Sequence, residues 1–146
     1  MGTVQALDYS TLLFLHVLSA FAIVAGVAMQ VAVGLALRRP AYAAIALRFA
    51  PAARVLTAVG GLLVLLFGIW LALHVGQYSL TDGWILAAIV LWAIAAGLGG
   101  RISAGYDRLA RGGWGGAEAP ALLSNAILVL VVSALLIDMI YKPGAS

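Results

Sequence analysis

Four apolar runs, each long enough or nearly long enough to cross a bilayer, leave this chain few folds to choose from. A helix crossing the roughly 30 Å hydrocarbon core needs about 20 mostly apolar residues. The runs fall at about 12–37, 55–75, 84–100 and 122–141, and the third, the shortest, has room to continue past Arg101. They are continuously apolar and rich in Ala, Leu and Val. Strands of a membrane barrel instead alternate apolar and polar residues over about ten positions. Helices satisfy their own backbone groups in lipid, so helices are expected. Of the 146 residues, 65% are hydrophobic and 9% are charged, too apolar a mix to hide in one soluble core. The fold class is therefore all-α, an integral membrane four-helix bundle forming one domain over 1–146. The first run does not read as a cleaved signal peptide, because it is too long and no Lys or Arg precedes it.

Charge supplies an orientation. Arg38, Arg39, Arg48 and Arg54 lie between the first two runs, and Arg101, Arg108 and Arg111 between the last two. Only Lys142 lies on the other side. By the positive-inside rule both arginine-bearing connections face the cytoplasm and both termini face outward, as expected in a bacterial inner membrane. The net charge of +3 is thus a topology signal that also suits anionic lipid heads; nothing supports nucleic-acid binding. The absence of cysteine excludes thiol redox chemistry, thiolate metal sites and iron–sulfur clusters.

The first connection, "RRPAYAAIALRFAPAARV", carries two prolines suited to first helical turns, with Tyr42, Ile45, Leu47 and Phe49 between them. It reads as a short interfacial helix from Pro40 to Pro51, with Arg48 reaching the head groups. The second, "RISAGYDRLARGGWGGAEAP", ends in a glycine-rich stretch that reads as flexible. Its glycines lack the preceding strand and the Gly-Lys-Ser/Thr ending of a phosphate cradle. Small residues at helical spacing mark faces of close helix approach: Ala22, Gly26 and Gly34; Gly61 and Gly68; Ala95 with Gly99, and Ala96 with Gly100. They serve either the bundle or a homo-oligomer.

Polar groups inside spans are costly, which makes them candidates for function. His16, Ser19, Ile23, Gly26, Gln30 and Gly34 follow one another at three- and four-residue steps, and this stripe is expected to face the bundle interior. Ser19 and Gln30 read as polar interior groups. His74, Asp138 and Met139 fall near the same membrane level as His16, on two further spans. His16 and His74 are candidate cofactor ligands, and His16, His74, Asp138 and Met139 a candidate metal set, in which imidazole and thioether would suit Cu(I). Each also has an ordinary role: a hydrogen-bonded interior histidine, an interfacial histidine, an Asp138–Lys142 ion pair, a packing methionine.

The stretch "LHVLSAFAIVAG" resembles the CopD-like superfamily of bacterial membrane proteins, which includes copper-resistance proteins and a haem-associated protoporphyrinogen oxidase. The closing "IDMIYKPG" is similar to a branch of integral membrane proteins of unknown function. In the haem-associated relatives a span-one histidine is implicated in haem binding, and the resemblance carries that role to His16. The intramembrane lysine of those relatives has no counterpart, since the one lysine is Lys142.

Three readings stand side by side. The first is a membrane protein holding b-type haem, or less favourably copper, through the outer histidines. The second is a metal or solute transporter, and the third a cofactor-free accessory subunit of a larger complex.

Overall fold

The computed structural model of the chain describes residues 2–74, 78–112 and 122–141, the side chains of 2–8 and of His74 excepted. The chain forms α1 (Gly2–Ala36), α2 (Pro40–His74), α3 (Gly83–Gly112) and α4 (Leu122–Tyr141), with no strand among the described residues. All four helices are long and apolar enough to cross a membrane, and the protein is a multi-pass membrane protein with an all-α four-helix architecture. The glycine-rich stretch at 113–121 and Lys142 lie outside the described residues.

α1 and α2 form a long antiparallel pair. Their three-residue turn closes with Leu37 N–H on the Val33 carbonyl at 3.0 Å and Arg39 N–H on the Ala36 carbonyl at 3.0 Å. Pro40 then opens α2, where its missing N–H costs nothing. The expected interfacial helix between Pro40 and Pro51 is corrected: α2 runs unbroken through Pro51. Buried Ala43, Ala46, Ala50, Ala53, Gly60 and Val64 keep one helical phase across the proline, so a break would shift half the stripe off α1. In lipid a continuing helix also keeps the flanking backbone groups bonded.

The contact is as close as the small residues allow. A Cβ on Gly26 would lie 2.7 Å from Thr57 Cγ2 and 3.0 Å from the Ala53 carbonyl oxygen. One on Gly60 would lie 3.0 Å from Ala22 Cβ and from the Ser19 carbonyl oxygen. Gly61 faces α3 instead, where its carbonyl accepts the Trp92 indole N–H at 2.8 Å. The residue that lets α2 approach α1 is therefore Gly60 rather than Gly61.

The four helices differ in length. α1 and α2 have 35 residues each, about 52 Å, whereas α4 has 20, about 30 Å. At the arginine-bearing end all four pack around Ile102, Tyr106, Leu109, Leu128, Val33 and Leu37. At the terminal end the core shrinks to Ala72, Trp84 and Ile85, with Tyr78 edge-on to Trp84 at 5.2 Å between ring centres. α1 touches α3 least of all its neighbours.

Candidate functional site

A cleft of about 760 Å³ lies at the terminal end, lined from all four helices. Its volume lies in the range of small-molecule sites, about 300–1,000 Å³. The walls are overwhelmingly aliphatic and aromatic, with Val64, Leu65, Ile85 and Trp92 among them. On one side the rim is formed by Leu13, Val17 and Phe21 of α1 and by Leu136 and Ile140 of α4. These side chains are exposed, up to 74% at Ile140. The cleft therefore opens sideways between α1 and α4, toward lipid rather than along the bundle axis.

His16 lines this cleft, as the inward stripe of α1 requires. Ser19, Gly26, Gln30 and Gly34 on the same stripe are buried, and Ile23 is half-buried. The imidazole is hydrogen-bonded to the backbone of Val64 in α2. Its Nδ1 is buried without a hydrogen-bond partner among the described residues. The Cε1–Nδ1 edge lies over Gly68, where a Cβ would come within 3.0 Å of Cε1 and 3.4 Å of Nδ1. A neutral ring that donates through its other nitrogen presents a lone pair at Nδ1. In hydrocarbon an unmet acceptor is costly, and His16 carries one at the edge of the cleft that it lines.

The other expected site residues divide. Met139 lines the same cleft as His16. Asp138 does not line it; its Oδ2 is buried without a partner among the described residues, and no hydrogen bond or ion pair joins it to His16. His74 is the last residue of α2, and its side chain lies outside the described ones. Among the described residues no three His, Cys, Asp or Glu side chains gather into a metal-holding group. Ser19 spends its hydroxyl within α1, donating to the Leu15 carbonyl at 2.7 Å.

Gln30 belongs to a second polar centre, at the arginine end. Its Nε2 donates to Ser103 Oγ at 2.9 Å, with the Gly99 carbonyl at 3.5 Å. The Tyr106 hydroxyl donates to the Gln30 carbonyl at 2.9 Å and receives Asn125 Nδ2 at 3.3 Å. Three helices are thereby joined by neutral hydrogen bonds in an otherwise apolar core. Ser103 and Tyr106 do not stand out in the sequence, because the charges after Gly100 read as a loop. The signal was present as Gly99, Ile102, Ser103, Tyr106 and Leu109, one helical face continuing past Arg101.

No nucleophile–base pair or paired carboxylates occur among the described cleft residues. Comparison with protein-family models, with curated proteins and with solved structures returns no match.

Proposed function

We propose that this protein holds an apolar, lipid-borne group in its lateral cleft, with His16 as the polar contact. The observation that carries this reading is the unpartnered, buried Nδ1 beside an otherwise apolar cavity of about 760 Å³. Of the groups that travel in lipid, b-type haem fits the donor set best: a neutral imidazole suits its iron, and apolar walls suit a large flat ring. His16 would hold the iron, while Trp84, Trp92 and the aliphatic walls would bound the ring and keep water away. A bound haem supplies one-electron chemistry. The reading shares its histidine with the CopD-like resemblance but rests on the cleft. A dedicated copper centre has less to stand on, since Met139 is the one further soft ligand lining the site among the described residues.

The protein then sits in a bacterial inner membrane with its arginine end in the cytoplasm and the cleft in the outer half. The test is a titration of the detergent-solubilised chain with haemin, followed in the visible spectrum. A saturable Soret shift that disappears in His16→Ala is expected. No shift in the parent, or the same shift in His16→Ala, overturns the reading.

The sideways opening favours one alternative: a partner's membrane helix seated between α1 and α4, which makes the chain an accessory subunit. Native gels of gently solubilised membranes separate the two, since the alternative requires migration with a larger complex.

A further inference from the structure

A second hollow, of about 720 Å³, lies at the opposite end of the molecule, at the α1–α2 turn. It is lined by Leu35, Ala36, Arg38, Arg39 and Tyr42. Both arginines are exposed, and among the described residues neither meets a carboxylate; the ion pair there is Arg54–Asp107. Beside them Leu35 is 52% and Tyr42 54% exposed. The apolar surface continues along α2 through Ile45 and Phe49, both exposed, at the three- and four-residue steps of one helix face. Arg48 stands exposed next to that stripe.

Depth fixes what this combination meets. α4, at 20 residues, just spans a hydrocarbon core. Near its start, Asn125 lies against the position of Gly34, since a Cβ there would come within 3.0 Å of Asn125 Nδ2. The end of α1 and the arginine pair after it therefore lie level with the start of α4, at the bilayer surface. From there the Tyr42–Ile45–Phe49 face runs back into the membrane.

We propose that this hollow is a binding site for one anionic phospholipid, with its phosphate on Arg38 and Arg39 and an acyl chain along Tyr42, Ile45 and Phe49. Two adjacent, exposed guanidiniums select a phosphate by charge and by paired N–H donors. The apolar stripe selects a lipid over a free anion, because inorganic phosphate makes no use of it. The site is independent of the histidine cleft.

The experiment is native mass spectrometry of the full chain in detergent, with phosphatidylglycerol or phosphatidylcholine added in turn. The parent should retain phosphatidylglycerol in preference. Arg38→Gln/Arg39→Gln should lose affinity on the order of 30-fold, two surface charges' worth. Arg101→Gln, which removes an exposed charge outside the hollow, should retain it. Phe49→Ser should weaken phosphatidylglycerol several-fold. Circular dichroism checks that each variant keeps its helices. Equal loss in Arg101→Gln would mean a diffuse field rather than a site and would overturn the proposal. So would full displacement of phosphatidylglycerol by millimolar inorganic phosphate, or no preference between the two lipids.

Discussion

The Tyr106 hydroxyl donates to the main-chain carbonyl of Gln30, 2.9 Å away, and so crosses from α3 to α1 in the most buried part of the bundle. Both side chains are essentially inaccessible, Tyr106 at 1% and Gln30 at 0%. The geometry also orients Asn125. With the tyrosine proton committed to Gln30, its oxygen accepts from Asn125 Nδ2, and α4 joins the same centre.

Tyr106→Phe removes that hub while keeping the ring's volume. Interhelical hydrogen bonds in membranes are worth about 0.6 kcal/mol on average and up to about 1.7, and a stranded amide adds to the loss. A detergent melt should fall by several degrees with helical content unchanged. Gly34→Ala should cost more, because its Cβ would sit 2.8 Å from the Tyr106 oxygen and 3.0 Å from Asn125 Nδ2. A parent-like melt in both variants would show that the centre contributes nothing to stability.

The fold was largely legible in the sequence, because apolar runs of bilayer length admit one economical backbone. The stripe from His16 to Gly34 was legible for a related reason: a polar group in hydrocarbon has nowhere to go but inward. Three features were not. Pro51 reads as a helix start, and only the tertiary register of Ala43, Ala46, Ala50 and Ala53 against α1 carries the helix through it. Arg101, Asp107, Arg108 and Arg111 make the end of α3 look like a loop and conceal Tyr106 on its buried face. The cleft depends on how little α1 meets α3, which is written in no one segment.

Gly26 and Gly61 look alike in sequence but should behave differently. Gly26→Ala places a methyl 2.7 Å from Thr57 Cγ2 and 2.8 Å from the Thr57 nitrogen, against backbone that cannot yield. Overpacking of that kind costs about 1–3 kcal/mol. Gly61→Ala meets Trp92 Nε1 at 3.6 Å, an ordinary contact, and should melt no lower than the parent, since alanine also favours the helix. Equal melting of the two variants would mean that the α1–α2 seam is looser than its geometry.

Arg54 of α2 reaches Asp107 of α3 in an ion pair whose guanidinium side is 51% exposed. Exposed pairs couple by about 0.2–1 kcal/mol and weaken as salt screens them. A double-mutant cycle with Arg54→Gln and Asp107→Asn should give a coupling in that range, smaller in 1 M salt than in 0.1 M. A coupling several times larger would place the pair out of reach of water.

The orientation proposed from the arginines is directly testable. Reporters that work only in the cytoplasm should stay silent when fused to either terminus and be active when inserted after Arg39. Cytoplasmic activity at the carboxyl terminus would invert the protein and put the histidine cleft in the inner leaflet.

Gly68 offers a way to move His16 without removing it. The ring edge lies against this glycine, and a Cβ would stand 3.0 Å from His16 Cε1, closer than side chains normally tolerate. The imidazole must therefore shift by a few tenths of an ångström in Gly68→Ala, while the new alanine favours the helix by about 1 kcal/mol. The ligand-free variant should melt close to the parent. Sites depend on placement to within about 0.5 Å, so a group held by His16 should be retained several-fold more weakly. His16→Ala should lose it altogether, and His16→Gln should keep the helix packing yet bind no haem. Spectra and melting curves of the three variants side by side decide the point. If haem retention is untouched by Gly68→Ala and His16→Gln alike, the cleft holds its guest by shape alone and the histidine is only a bridge to Val64.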